Sequence, residues 1–278
     1  MKLSLNQWTT RRWTVAEAVE GCVRHGVEAI GLWRQEVAAQ GPAETVKLVG
    51  DAGLRVSSLC RGGFLTGGSQ EAMDDNRRAI DEAAELGAAC LVMVVGGLPG
   101  VPAGQGPGEG FSRDLPAARE RVAEALTLLA PYAGERGVRL ALEPLHPMYC
   151  ADRAVLSTLG QALDLAEPYP VDQVGVVVDT FHVWWDPELF AQIARAGARI
   201  ASYQVCDFLQ PLPADVLLGR GMMGDGVIEF APITRAVRQA GYAGDVEVEI
   251  FNADVWAADP DTVMSTMKDR FASLVLPL

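Results

Sequence analysis

The sequence predicts an α/β protein, a single-domain (β/α)8 TIM barrel over residues 1–278. Two observations predict it. Short apolar runs alternate with amphipathic stretches, and the cycle repeats eight times along the 278 residues. Such alternation calls for a parallel sheet with helices packed outside it, and eight units in about 250 residues is the count of a closed barrel. A doubly wound open sheet would place a Gly-rich phosphate loop after its first strand. The segment NQWTTRRW at 6–13 has no glycine.

The elements follow in order. Strands are expected at 2–6 (KLSLN), 28–33 (EAIGLW), 55–60 (RVSSLC), 89–96 (ACLVMVVG), 138–144 (VRLALEP), 174–179 (VGVVVD), 199–207 (RIASYQVCD) and 245–251 (DVEVEIF). Each is short and rich in the apolar or β-branched residues that fill a buried parallel sheet. Helical periodicity predicts helices over 14–25, 43–53, 70–87, 114–137, 158–167, 187–197, 231–241 and 260–275. Thr14, with Glu17 three residues later, reads as a capping box. Gly53, Gly87, Gly137, Gly197 and Gly241 stand where helices end, as glycines in the left-handed conformation do. The run GGLPGVPAGQGPGEGF at 96–111 has no periodicity and reads as a surface loop or as a lid over a site.

Composition narrows the function classes. The formal net charge is −13 with no basic run, so counterion release cannot drive binding to nucleic acid. No apolar stretch approaches a membrane span, and no signal-peptide core follows the N-terminus. The five cysteines are scattered with no CxxC pair, which fits reduced thiols and a cytoplasmic location. The expected partner is a small molecule, with neither nucleic acid nor membrane involved; self-association into a homo-oligomer is left open.

Active sites of this architecture lie at the C-terminal ends of the strands. Strand five ends in Glu143 and strand six in Asp179; strand seven offers Gln204 and Asp207, and strand eight Glu247 and Glu249. Oxygen donors from four successive strands thus converge on one rim with no lysine near them. Clustered carboxylates raise one another's pKa. A divalent cation relieves the conflict, and carboxylates plus an amide carbonyl suit Mg, Mn or Co, with Zn also admissible. Of three histidines, His25 reads as a helix-end residue. His146 and His182 each follow a strand-end acid by three positions and are expected in the pocket, out on loops, contacting substrate rather than metal. Trp184 and Trp185 are candidates for a stacking wall, and Trp8, Trp33 and Arg61 are further pocket candidates.

Four segments carry a resemblance. LALEPL at 140–145, VVVDTFH at 176–182, VEVEIF at 246–251 and RGMMGDGVIEF at 220–230 are similar to motifs of the sugar isomerase/epimerase family with a xylose-isomerase-like TIM barrel. The likeness covers nearly the whole chain. It implies metal binding by Glu143, Asp179 and Glu249, and substrate contacts from His182 and Arg220. The family's strand-seven ligand is commonly histidine; Gln204 stands there, which makes an all-oxygen site and favours one Mn or Mg ion over Co or Zn. The segment FLQPLPADVLLG at 208–219 reads as an insertion relative to the family. The implied activity is metal-dependent isomerisation or epimerisation of a ketose, inosose or related α-hydroxy carbonyl sugar through an enediolate, with Glu143 and Glu249 moving the proton. β-Elimination from a keto-sugar or keto-glycoside shares the first step and is the alternative. An endonuclease-IV-like DNA repair enzyme would need a histidine-rich zinc site and a basic face. A sugar-binding barrel without activity is kept open by Gln204. With no cluster of basic residues to clamp phosphate, a free sugar or cyclitol is expected, although Arg61 and Arg220 leave the phosphorylated form open.

Overall fold

A computed structural model describes residues 1–276. Eight parallel strands close into a barrel. They are β1 (Leu3–Asn6), β2 (Ala29–Trp33), β3 (Arg55–Gly63), β4 (Leu91–Val94), β5 (Leu140–Leu142), β6 (Val174–Asp179), β7 (Ile200–Val205) and β10 (Val246–Val248). Between the last two, β8 (Asp207–Phe208) and β9 (Arg220–Gly221) form a separate antiparallel pair. The barrel strands pair in chain order, and β10 closes on β1 with Leu3 opposite Val246.

The helices form for the local reasons read in the sequence. Thr14 accepts from the Glu17 amide while the Glu17 carboxylate accepts from the Thr14 amide, so the capping box starts the Val15–His25 helix. That helix stops at Gly26, whose φ of 65° is left-handed and costs glycine little. Outer helices bury one face against the strands, as Ala79, Ile80 and Ala83 do in Gln70–Leu86. Three α-helices lie outside the predicted set, one of them the four-residue turn Thr180–Val183 at the end of β6. Arg34–Gln40 starts directly at the end of β2 with no capping hydrogen bond, so no start signal precedes it. Ala253–Ala257 is only five residues long. Strands predicted at 138–144 and 245–251 form ladders of three residues each. Glu143 and Glu249 therefore stand just past the hydrogen-bonded wall.

The barrel interior holds apolar and polar side chains next to one another. Trp33, Cys60, Cys90, Val92, Ala141, Val177 and Phe251 pack together inside it. Beside them, within 4.8 Å of the Cys60 sulfur, the Glu247 carboxylate accepts from Asn6 Nδ2 at 2.7 Å, Ser57 Oγ at 2.6 Å, Ser58 Oγ at 2.8 Å and Gln204 Nε2 at 3.2 Å. A Cβ at position 31 would lie 2.5 Å from that carboxylate, so Gly31 makes the room. Burial pushes Glu247 above the ordinary carboxylate range, and these neutral donors pull it part of the way back.

The 96–111 segment lies against the turn after β5. The Leu98 amide donates to Ala151 O at 2.7 Å, and the Gly104 amide donates to Asp152 Oδ2 at 2.8 Å. Among the described residues, no helix is long and apolar enough to cross a membrane.

Candidate active site

The β strands deliver three buried acids to one end of the barrel. Asp179 closes β6, and Glu143 and Glu249 follow β5 and β10 by one residue. All three are at most 5% exposed. An oxygen of Glu143, an oxygen of Asp179 and a ring nitrogen of His182 lie within 4.8 Å of one another. His182 is not on an open loop as expected. It sits in a single helical turn, Thr180–Val183, that Asp179 caps by accepting from the Phe181 amide, and it is buried among the acids.

The cation in this cluster is Arg220. Its Nη1 lies 2.9 Å from Asp179 Oδ2 and 3.1 Å from Glu249 Oε2, and its Nη2 lies 2.9 Å from His182 Nε2. The 208–219 segment explains its arrival. Asp207 and Phe208 pair antiparallel with Gly221 and Arg220, so the apparent insertion is an excursion that leaves the barrel and returns the guanidinium to it. Asp207, one of the oxygen donors counted in the sequence, braces this return. Its carboxylate accepts from the amides of Phe208, Gly224 and Ile228, which leaves it a structural role.

Charge in the cluster does not balance. Burial pushes Glu143 well above the usual carboxylate range, and the charges of Glu249 and Asp179 add to the shift. Burial likewise lifts Glu249 to about 8, with Arg220 pulling down and Asp179 and Glu247 pushing up. Burial also raises Asp179, against the pull of the Arg220 guanidinium and the Phe181 amide. Burial opposes the Arg220 charge, but Asp179, Cys206 and Glu249 more than offset it. His182 is held neutral, first by burial and then by Arg220. A neutral imidazole has one lone pair. Nδ1 already accepts from the His146 amide at 3.1 Å, so the ring cannot also accept from Arg220.

The donor set fits a divalent cation. The one guanidinium pairs with Asp179 and Glu249 and leaves Glu143 without a cation, and Gln204 Oε1 is buried with no donor. Gln204 turns its amide nitrogen to Glu247, which leaves that carbonyl oxygen uncommitted. Glu143 and Asp179, which each bring an oxygen within 4.8 Å of the other, could hold such an ion, with Glu249 tied to Asp179 through Arg220.

A cavity of about 170 Å³ meets this cluster, with Glu143, Glu249, His182, Arg220 and Arg61 in its lining. Its aromatic wall differs from the expected one. Trp8 and Trp33 stack at 4.3 Å with Phe251 beside them, and all three line the cavity. Trp184 does not line it, because its ring is committed to Phe208 at 5.2 Å, and Trp185 donates to His182 O. His146 is also outside the lining: its Nδ1 accepts from the Met148 amide and its ring rests on Trp185 and Phe208. Asn6 is a site residue the sequence reading passed over. Its Nδ2 bridges Glu247 and Glu249 at 2.7 and 3.0 Å, and its Oδ1 accepts from Trp33 Nε1 at 2.9 Å. It ends β1, two residues before the pocket candidate Trp8, and its strand-end position is the signal that marks it.

Comparison with known proteins agrees with the geometry. An inosose isomerase of Halalkalibacterium halodurans is 26% identical over 153 residues, 54% of this chain and 52% of that protein. A 3-dehydroshikimate dehydratase of Pseudomonas putida is 25% identical over 262 residues, 88% of this chain and 37% of that protein. The chain thus spans about half the length, or less, of these curated relatives. A solved structure of a protein from Sinorhizobium meliloti 1021 is 48% identical, covers 98% of both chains and superposes with a TM-score of 0.91. Residues 19–270 match the family described as xylose isomerase-like TIM barrel. With that match and a closed barrel of eight parallel strands, the chain belongs to the xylose isomerase-like TIM barrel family.

Proposed function

We propose that this protein is a sugar isomerase or epimerase that moves a proton next to the carbonyl of an α-hydroxy carbonyl substrate. The observation that carries the reading is the pair Glu143 and Glu249. These two buried carboxyls reach the same cavity from β5 and β10, and both are raised above the ordinary carboxylate range, Glu249 to about 8. Carboxyls in that range exchange protons with carbon acids near pH 7 far better than ordinary ones.

The two groups differ in a useful way. Glu249, lifted to about 8, ionises within reach of neutral pH and serves as the base. Glu143 faces the same cavity, and burial together with the charges of Glu249 and Asp179 raises it above its ordinary value, which suits it to hand a proton back. The proton leaves the carbon next to the carbonyl for Glu249, and Glu143 returns one. Return to the same carbon on the opposite face inverts it; return to the neighbouring carbon, with the hydroxyl proton passing from one enediolate oxygen to the other, exchanges aldose and ketose. Asn6 holds the Glu249 carboxylate in place, and Trp8, Trp33 and Phe251 keep bulk water out. A divalent ion on Glu143, Asp179, Gln204 and Glu249 supplies Lewis-acid polarisation of the carbonyl when bound. The relative named as an inosose isomerase supports the same class.

A second reading, β-elimination, is supported by the dehydratase that aligns with 88% of this chain. It uses the same first proton abstraction. One experiment tests both: incubation in D2O with a divalent ion and a panel of ketoses, inososes and keto-acids. Deuterium at the carbon next to the carbonyl supports the proposal. Loss of water with formation of a double bond selects elimination. No exchange with any carbonyl compound would sink both.

A further inference from the structure

Arg61 and Arg153 set this cavity apart from the rest of the protein. Both line it. The other inward-leaning arginines find acceptors for their terminal nitrogens: Arg34 pairs with Asp75 and Glu82, Arg220 with Asp179 and Glu249, and Arg139 donates to the carbonyls of Ala198 and Ile200, although Nε of Arg139 and of Arg220 is buried without a partner. Arg61 finds none, and Arg153 has only a loose ion pair with its neighbour Asp152. The Arg61 guanidinium rests over the Phe64 ring at 4.1 Å and makes no hydrogen bond or ion pair among the described residues. Arg153 Nε is buried without a partner. Its nearest carboxylate oxygen, Asp152 Oδ2, is 3.6 Å away, beyond hydrogen-bond length, and already accepts from the Gly104 amide.

Two half-buried guanidinium groups lining one small cavity repel each other and lose hydration. Burial lowers Arg61 from the usual arginine value, and the Arg153 charge adds to that, with Cys60 and Glu143 pulling the other way. Arginine stays charged regardless. The arrangement costs free energy without a counter-ion, and the fork of a guanidinium matches the oxygens of a carboxylate or phosphate.

We propose that Arg61 and Arg153 are the seat for an anionic group of the substrate. The substrate is then a keto-sugar acid or ketose phosphate, whose anionic group binds the arginine pair while its hydroxy-carbonyl end meets Glu143 and Glu249. This rests on the isomerase reading of the cavity and specifies the substrate class for it.

The test uses matched ligands on the full chain. Binding of fructose, fructose 6-phosphate and 5-keto-gluconate is measured by quenching of tryptophan fluorescence, with wild type, Arg61→Gln, Arg153→Gln and Arg61→Lys. The expected result is that one charged ligand binds at least about tenfold more tightly than fructose, as a charge-assisted bidentate contact provides. That preference should collapse in both glutamine variants, survive in part in Arg61→Lys, and weaken as salt is raised. The phosphate and carboxylate arms tell which anion the seat takes. Melting temperatures check that each variant is folded. The proposal is overturned if no charged ligand outcompetes fructose, or if the preference persists in both glutamine variants. Deuterium exchange on the same panel separates the two readings. Exchange without anion preference removes only the anion seat, whereas anion preference without exchange at any carbon removes only the isomerase.

Discussion

Arg220 Nη1 lies 2.9 Å from Asp179 Oδ2, an ion pair between the return of the β8–β9 excursion and the tip of β6, with both side chains at most 4% exposed. Removing one partner of a buried pair leaves an unmatched charge. Arg220→Met is expected to destabilise the metal-free protein by about 3–5 kcal/mol. A divalent ion should raise its melting temperature more than that of wild type. Equal melting points with and without the side chain would show that the pair does not bear on folding.

Glu249 gives a pH dependence with a defined sign. Its folded value, about 8, is above the ordinary 4.5. Protonation therefore favours the folded state: the contribution is complete below about 4.5 and is lost as pH rises through about 8. Glu249→Gln should flatten the stability profile of the metal-free protein across that window, as read from denaturant midpoints. The same variant should lose exchange activity by about 10²- to 10⁴-fold, together with any rise of the wild-type rate toward pH 8. A variant that keeps that rise would assign the base elsewhere.

Gln204 carries a prediction about metal choice. Its Oε1 has no donor in the structure, so it is the atom a cation would use. Gln204→His replaces a hard oxygen with an imidazole and should shift preference from Mn toward Zn in a competition titration. An unchanged preference would place residue 204 outside the ligand set.

Asn6 is a positioning residue for Glu249. Asn6→Ala removes the donor that Glu247 and Glu249 share. The expected cost is about 1–3 kcal/mol of stability and about tenfold in kcat with KM little changed. A change confined to KM would mean that Asn6 meets the substrate instead.

The barrel was legible because it rests on patterns local to each strand and helix. Eight apolar runs, helix-ending glycines and the Thr14–Glu17 box all act within a few residues. Glu143, Asp179 and Glu249 could be placed on one rim because strand ends in a parallel barrel share a face. What the sequence hid depends on contacts far apart along the chain. That Arg220 reaches Asp179 depends on the pairing of Asp207–Phe208 with Arg220–Gly221. That Trp184 turns away depends on Phe208, and the absence of a partner for Arg61 can be known only after every acceptor has been placed.

The β8–β9 excursion divides the site into a fixed half and an adjustable half. Barrel closure dictates where Glu143, Asp179 and Glu249 stand, since their backbones belong to or adjoin the closed wall. Closure says nothing about Arg220, whose place is set by a side branch the barrel does not need. Breaking the pairing of Phe208 with Arg220 is expected to move the cation while the row of acids stays in place. Altered reactivity could thus be explored by grafting one loop, with the scaffold left alone.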